Sequence, residues 1–185
     1  MADQAQIQLE VVTPEGASLA LPVHELTAPS VDGEFGVLPG HRPLLAALKT
    51  GIVSYKDLEG EEHHLAVGPG FVEVADDHAV LLTDRFIKKD DVDPVRARLD
   101  LKEADEGLDA YEGELGTPEH VALVAKELWA AVQLELYGDP PPPTNRAFQE
   151  YQSAEKYELE EGIPLAEAIV EEEAAVDERR RKKGD

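Results

Sequence analysis

The first part of the chain, about 86 residues, consists of short apolar runs separated by turn signals, and this pattern constrains the fold most strongly. In the run IQLEV, Ile7, Leu9 and Val11 alternate with polar residues, which is typical of a strand that buries one face. Further runs lie at residues 19–23, 51–55, 64–67, 71–74 and 79–83. Turn-forming stretches such as GPG and ADDH separate them. Many short strands with regular turns predict an antiparallel β sandwich or barrel.

The pattern changes at Asp90, where helical spacings replace the strand alternation. Asp93 precedes Pro94, which places a good N-cap before a proline at the first helical position. After an irregular start, the apolar residues with helix-like spacing are Val95, Leu99, Leu101, Leu108, Tyr111 and Leu115. A first helix is therefore predicted from Pro94, and Gly113 and Gly116 are predicted to end it.

A second helix is predicted from Thr117 and Pro118, which repeat the same start signal. Its predicted apolar stripe comprises Val121, Val124, Ala125, Leu128, Trp129, Val132 and Leu136. Two helices joined by a few residues predict an antiparallel helical hairpin. A pair of helices this small buries too little apolar surface to be stable alone, and Gly107 inside the first helix costs about another 1 kcal/mol. The hairpin is therefore expected to dock on the β domain or on a partner.

These patterns place the chain in the α+β class and divide it into three predicted regions. Residues 1–88 are the β-sandwich domain, residues 89–138 the helical hairpin, and residues 139–185 a proline-rich linker with a polar extension. The prolines at 140–143 favour a stiff, extended spacer. The extension has few apolar residues and carries a basic run at 179–183, so we expect it to be helical only in part and weakly packed.

The chain is strongly acidic, with 40 aspartates and glutamates against 17 lysines and arginines and a formal charge of -23. Such a chain repels phosphate backbones, so a nucleic-acid partner is not expected. The absence of cysteine excludes disulfides and thiol catalysis. No apolar run approaches the ~20 residues that cross a bilayer, and the first residues lack a signal-peptide pattern. A cytosolic or peripheral protein is therefore expected.

No residue pattern indicates a catalytic, cofactor or metal site. The six histidines show no HxH or HExxH spacing, and His63 and His64 are expected on opposite faces of one strand. The serines lie in no GxSxG context, and the glycine-rich stretches lack the Gly-Lys-Ser/Thr ending of a phosphate loop. The acidic clusters do not have EF-hand spacing. We therefore expect no metal and no bound cofactor, and interpret the acidic clusters as solvated surface.

One segment, GEFGVLPGHRPLL at residues 33–45, is rich in glycine and proline and has no helical period. An active-site loop and a protein contact surface both fit this composition. Four stretches make the chain recognisable: LEVVTPEG at 9–16, DGEFGVLPGHRPLLAALKTG at 32–51, VGPGFVEVADDHAVLLTD at 67–84 and DVDPVRAR at 91–98. In their order and spacing they resemble the epsilon subunits of bacterial rotary F-type ATP synthases, and the resemblance ends at Gly138.

The resemblance implies a ten-stranded β sandwich at the foot of the central stalk, followed by a mobile helical hairpin. The implied partners are the gamma subunit and the ring of membrane c subunits, with alpha or beta subunits reached through the hairpin. The chain would be a non-catalytic rotor subunit that couples proton flow to the gamma shaft, peripheral on the cytoplasmic face of the bacterial inner membrane. The contact residues carried over from the matching segment are Glu34, Gly36, Pro39, His41 and Leu44.

Some members of this family bind ATP where the hairpin starts, through an Ile/Leu-Asp-x-x-Arg-Ala motif. The stretch VDPVRA at 92–97 matches it except at the first position, so Asp93, Arg96 and Ala97 are candidates for binding ATP as a regulatory ligand. The family site also takes arginines from the second helix, where this chain has only Lys126. Asp93 is equally well explained as an N-cap.

In many relatives the hairpin extends and inhibits ATP hydrolysis, with its basic side chains on an acidic segment of the beta subunit. Residues 91–138 of this chain carry 12 acids and 4 bases, so like charges would meet and weak inhibition is expected, unless the basic run at 179–183 supplies the missing positive charge from the extension. The alternative from a different class is a free-standing acidic β-sandwich scaffold or ligand-binding module. An enzyme is the third hypothesis, and it requires a pocket with converging titratable groups.

Overall fold

The computed structural model describes residues 5–16 and 18–141, so the predicted extension beyond residue 141 lies outside the described residues. The strands are β1 (Ile7–Val12), β2 (Ser18–Val23), β3 (Glu25–Ser30), β4 (Gly33–Val37), β5 (Leu44–Leu48), β6 (Gly51–Lys56), β7 (Glu62–Val67), β8 (Gly70–Ala75), β9 (His78–Thr83) and β10 (Phe86–Lys88). A 3-10 turn (Lys89–Asp91) leads into α1 (Pro94–Asp109), which is followed by α2 (Pro118–Tyr137). Within the described ranges, neither helix is long and apolar enough to cross a membrane.

The ten strands form one continuous sheet whose inner face closes around a single core. Hydrogen bonding runs in the order β10-β7-β6-β3-β5-β8-β9-β1-β2, and β4 pairs with β3. The predicted alternation in β1 is confirmed, since Ile7, Leu9 and Val11 are fully buried. Side chains from both halves of the sheet, among them Val53 and Leu81, meet in the same cluster. The sheet is therefore curled over its own inner face, and the predicted α+β fold with an N-terminal sandwich is confirmed.

One strand pairing departs from the predicted antiparallel pattern. β1 lies parallel to β9, from Gln8 opposite His78 to Val12 opposite Leu82. The other eight pairings are antiparallel. Parallel neighbours cannot be joined by a tight turn, and seven strands separate β1 from β9 along the chain. The alternation within a strand carries no information about so distant a neighbour.

The helical hairpin packs through α2 on the outer face of the half of the sheet that contains β6, β7 and β10. Ala66 of β7 points away from the core and is nevertheless fully buried, because it contacts the cluster formed with Val132 and Leu136 of α2. The side chains packed around this cluster are Ile52, Ile87 and Trp129. The hairpin is expected to dock on the β domain or on a partner, and in the structure it docks on the β domain.

Capping contacts confirm both predicted helix starts. The Asp93 carboxylate accepts hydrogen bonds from two backbone N–H groups in the first turn of α1, at 3.0 Å each. The Thr117 hydroxyl accepts a hydrogen bond from the His120 N–H at 3.4 Å, and each helix has proline in its first turn. α2 ends at Gly138, whose φ of 102° lies in the left-handed region that favours glycine.

The predicted apolar stripe of the first helix is wrong in most of its members. α1 ends before Tyr111 and Leu115, several residues earlier than its predicted end. Val95 and Leu99 lie within α1, but they are 62% and 51% exposed. The buried residues of α1 are Ala97, Leu101 and Ala104.

The stripe predicted for the second helix is correct only toward its end. Val132 and Leu136 are buried as predicted, whereas Val121 is 53% exposed and Ala125 is also exposed. The buried residues that the prediction omitted are Glu127, Ala130, Ala131 and Leu134. α2 contacts both α1 and the sheet, so its buried surface is wider than one apolar stripe.

Part of these differences arises because several of the residues that the helices bury are small. A Cβ atom placed at Gly107 would lie 2.9 Å from Cδ2 of Leu123 on α2, so glycine permits the close approach at this point. Each helix also buries two alanines, which are Ala97, Ala104, Ala130 and Ala131. The spacing of large apolar residues therefore does not indicate these buried positions, because four of them are alanines.

Leu136→Ala is expected to loosen the docked hairpin. Leu136 is 4% exposed in the cluster beneath α2, and removing such a side chain costs about 2–5 kcal/mol. Trp129 is the only tryptophan in the chain and packs against the same cluster. Its fluorescence should therefore shift to longer wavelength, while the circular dichroism of the sandwich is retained.

The matched control for this variant is Tyr137→Ala, because the neighbouring Tyr137 is 46% exposed. Its Trp129 emission should equal that of the wild-type chain. Unchanged emission from Leu136→Ala, with a folded sandwich, would contradict the docking described above.

Candidate interaction surface

Residues 33–45 form an edge strand, a turn and the start of the next strand. β4 pairs along its whole length with β3, and it pairs with no second strand among the described residues. One edge of its backbone is therefore open to a partner. Glu34 and Gly36 lie in β4 and both are exposed, so these two predicted contact residues are accessible.

A tight turn after β4 holds Pro39 and His41, which are both half-buried. The His41 N–H donates to the Leu38 carbonyl at 3.0 Å. Gly40 has a φ of 79°, and its N–H donates to Oδ1 of Asp77 at 2.6 Å. Asp77 lies in the β8–β9 turn, whose two central residues have positive φ angles of 50° and 59°. The conformation of the turn after β4 is thus supported by a residue outside the segment.

Leu44 packs against the core, whereas its neighbour Leu45 lies on the surface. Leu44 opens β5, is half-buried and packs against the core cluster. Leu45 points to the opposite face of the strand and is 71% exposed. Leu44 stays a predicted contact residue, but Leu45, which the sequence analysis did not single out, offers more accessible apolar surface.

Exposed apolar residues also flank β4 at both ends. Val31, in the turn before β4, is 62% exposed, and Leu38, in the turn after it, is 58% exposed. The hydroxyl of Ser30 donates to the Gly33 carbonyl at 2.7 Å and accepts a hydrogen bond from the Asp32 N–H at 3.1 Å. The turn that presents Val31 is therefore held by its own side-chain contacts.

Four apolar side chains lie side by side on the outer face of the half of the sheet that contains β5, β8, β9 and β1. We call these four side chains the outer apolar row. Ala47 is opposite Phe71, Phe71 is opposite Leu82, and Leu82 is opposite Val12. Phe71 is 57% exposed and Leu82 is 51% exposed. Leu45 lies on the same face of β5, next to this row. The outer face of one half of the sheet is thus covered by the helical hairpin, while that of the other half exposes an apolar surface.

The sequence contains a signal for the outer apolar row. The strands LLAAL (β5) and HAVLLT (β9) carry apolar residues at both alternating positions, whereas a strand with one solvated face alternates apolar and polar residues. Apolar residues on both faces indicate a strand that is covered on both sides.

The three residues of the ATP-binding motif lie at the start of α1, where each has a contact within the fold. Asp93 caps the helix, and Ala97 is only 1% exposed. The Arg96 guanidinium donates to both carboxylate oxygens of Asp100, at 3.0 and 2.8 Å. The hydrogen bond to Asp100 raises the pKa of Arg96 above its ordinary value.

Lys126 of α2 reaches the same place from across the helical hairpin. Its Nζ atom lies 2.6 Å from a carboxylate oxygen of Glu103 and 3.7 Å from Oδ1 of Asp100. The hydrogen bond from Lys126 lowers the pKa of Glu103. Arg96 and Lys126 therefore both contact Asp100, so two cations lie close together. Both cations are paired with carboxylates in this structure.

The two remaining bases of the hairpin also have acidic partners. Arg98 donates through Nε to the Asp139 carboxylate at 3.0 Å, which joins α1 to the residue after the end cap of α2. Nζ of Lys102 lies 3.6 Å from Oε1 of Glu106. All four bases of residues 91–138 are thus ion-paired.

A second group of titratable residues lies away from these contacts, in the β6–β7 turn. Asp57, Glu61 and His63 each place one ligand atom within 4.8 Å of the others. His64 is the residue next to His63, and its Nε2 lies 3.9 Å from Glu62. No metal site is expected from the sequence, because the spacing of the histidines gives no indication of a group made of one histidine and two acids.

Comparison with known proteins identifies the family. The model of the ATP synthase delta/epsilon chain β-sandwich domain matches residues 6–89. The ATP synthase epsilon chain of Desulfatibacillum aliphaticivorans is 40% identical over 106 residues, 57% of this chain and 75% of the relative. That of Geotalea daltonii is 43% identical over 103 residues, 56% of this chain and 74% of the relative.

Among solved structures, a chain of the Euglena gracilis mitochondrial ATP synthase is similar with a TM-score of 0.53. The two chains are 23% identical, and the match covers 73% of this chain and 79% of that chain. At this identity the similarity concerns the fold alone. The relatives named above are matched over about three quarters of their length, and the chain has a β sandwich followed by a helical hairpin. The chain therefore belongs to the family of ATP synthase epsilon chains.

Proposed function

We propose that the chain is a central-stalk subunit that connects the gamma subunit of the ATP synthase to its ring of c subunits. Membership of the epsilon-chain family makes it an ATP synthase subunit. The outer apolar row is the observation that carries the proposal, because it exposes Phe71 and Leu82 on a well-paired sheet. Exposed apolar patches on soluble domains mark sites of protein contact.

The gamma subunit is the proposed partner of the outer apolar row. Phe71 lies in the middle of the row between Ala47 and Leu82, and aromatic side chains at the centre of an interface contribute most of its binding energy. The row is carried by hydrogen-bonded strands, so little conformational entropy is lost when a partner binds. Leu45, at 71% exposure, extends the apolar surface beside it.

The ring of c subunits is the proposed partner of β4 and of the turn before it. This region presents the exposed residues Val31, Glu34 and Gly36. The contacts of Ser30 hold the turn in shape before any partner binds, which favours association. Gly36 leaves the backbone of the open edge accessible to close approach.

With these two contacts the chain acts as a non-catalytic rotor subunit. It transmits torque between the ring and the shaft and so takes part in coupling proton flow to rotation. It is peripheral, at the cytoplasmic face of the bacterial inner membrane. A free-standing acidic scaffold, the alternative function, provides no partner for the outer apolar row.

Phe71→Glu tests the proposed contact with the gamma subunit. A charge in the middle of an apolar contact should weaken binding by more than about tenfold, which corresponds to about 1.4 kcal/mol. The measurement is the affinity of the purified chain for the gamma subunit, with circular dichroism to confirm the fold. Leu58→Glu is the control, because Leu58 is 39% exposed in the β6–β7 turn, outside the row. Wild-type affinity in a folded Phe71→Glu variant would show that the row is not this contact.

We further propose that the helical hairpin inhibits ATP hydrolysis only weakly. Its four bases are already ion-paired in the docked hairpin, and its 12 acids exceed them threefold. Extension toward an acidic segment of an alpha or beta subunit would break these pairs or bring like charges together. Like charges across an interface cost several kcal/mol.

Three versions of the subunit in the assembled enzyme test this proposal: the full chain, a chain that ends at Tyr137 and a chain that ends at Asp90. The two shortened forms should hydrolyse ATP at rates within about twofold of each other, because the hairpin adds little inhibition. Strong activation on loss of residues 91–137, without activation on loss of residues 138–185, would refute the charge argument. If the chain that ends at Tyr137 already gives full activation of ATP hydrolysis, the inhibition would be assigned to residues 138–185.

Regulatory binding of ATP at the start of α1 stays a proposal, supported by the approach of Arg96 and Lys126 to one carboxylate. ATP phosphates would have to displace that carboxylate from both cations. Asp100→Asn removes the competing charge, so it should tighten ATP binding by about tenfold in calorimetry. Arg96→Ala should abolish the binding, and Glu112→Gln, in the exposed connection between the helices, is the control. No heat of binding from the wild-type chain or Asp100→Asn at millimolar ATP would refute the proposal.

A further inference from the structure

The β6–β7 turn brings one imidazole and two carboxylates together on the surface of the sandwich. The ligand atoms of Asp57, Glu61 and His63 all lie within 4.8 Å of one another. The shortest separation is 2.7 Å, between Nε2 of His63 and Oδ2 of Asp57. The three side chains therefore converge on a volume that one ion can occupy.

Contacts on either side hold two of these three groups in place. Oδ1 of Asp57 accepts hydrogen bonds from the N–H groups of Glu59 at 3.0 Å and Glu61 at 2.8 Å. The other oxygen, Oδ2, is thereby directed to His63. The His63 ring stacks on Tyr55, with ring centroids 5.2 Å apart and planes inclined by 22°. Outer contacts of this kind orient metal ligands and raise affinity.

We propose that Asp57, Glu61 and His63 bind a divalent transition-metal ion, with zinc as the favoured ion. An imidazole nitrogen with two carboxylate oxygens suits zinc, whereas magnesium and calcium prefer oxygen ligands alone. With Zn–N and Zn–O distances of about 2.0–2.2 Å, two ligands of a tetrahedral ion lie about 3.3 Å apart. The hydrogen-bonded atoms of Asp57 and His63 would have to separate by about 0.6 Å, and water would complete the coordination.

The charge around the turn favours a cation. The sequence DLEGEE at residues 57–62 places four acids in six positions. Lys56, the nearest base in the chain, is paired with Glu25 at 2.7 Å. The resulting negative potential attracts divalent ions to the turn. The site is independent of the proposed rotor function, because it lies outside both β4 and the outer apolar row.

Calorimetric titration of the full chain with zinc chloride tests the proposal. We expect one site of micromolar affinity in the wild-type chain, weakened by at least about tenfold in His63→Ala. His64→Ala is the matched control, because it removes an exposed neighbouring imidazole that is not part of the group. This variant should bind zinc with wild-type affinity.

Glu61→Gln tests the second oxygen without removing the Asp57 contacts that shape the turn, and it should also weaken binding by about tenfold. Cobalt gives an independent readout, since visible absorption of the bound ion should appear in the wild-type chain and disappear in His63→Ala. Absence of zinc binding up to millimolar concentration would show that Asp57 and His63 form an ion pair only. Equal affinity in the wild-type chain and a folded His63→Ala variant would place any bound zinc elsewhere and overturn the proposal.

Discussion

The closure of the sheet over its inner side chains is the constraint on which the other features of the molecule depend. Residues such as Leu9, Val53 and Leu81 come from distant strands, yet they share one fully buried cluster. At about 25 cal/mol per Å² of buried apolar surface, this cluster is the main source of stability in the β domain. Because every strand turns one face inward to this cluster, the outer face of each half of the sheet is available for a different contact.

The two outer faces have taken different roles. One is covered by α2, with Ala66 buried under Val132 and Leu136, and the other exposes Phe71 and Leu82. The same kind of surface, an apolar row on a paired sheet, thus serves an internal contact on one side and the proposed external contact on the other.

The parts of the fold that depend on neighbouring residues could be predicted from the sequence. The buried face of β1 follows from the alternation of Ile7, Leu9 and Val11, and the helix starts follow from the cap residues Asp93 and Thr117. The parallel β1–β9 pair and the helix–helix contact could not be predicted in this way. Both depend on which elements meet across the fold, and a periodic pattern does not record that information.

The same distinction applies to the candidate sites. The segment at 33–45 is recognisable as a contiguous stretch, and Glu34 and Gly36 are indeed accessible. The outer apolar row is assembled from four strands, with Phe71 and Leu82 adjacent only after the sheet forms. The group in the β6–β7 turn is local in sequence, but its convergence depends on the hydrogen bonds of Asp57 and on the stacking of His63 against Tyr55.

The hydrogen bond from Gly40 to Asp77 has a mechanical consequence. The carbonyl of Asp77 also accepts a hydrogen bond from the Gln8 N–H at 2.8 Å, so one residue ties the turn after β4 to the first strand. A force applied at Pro39 or His41 is then shared by the β8–β9 hairpin and β1 instead of bending the β4 edge alone. The turn after β4 is therefore held more rigidly than its own residues alone would hold it. This arrangement requires Asp77, which is not glycine, to adopt a positive φ angle.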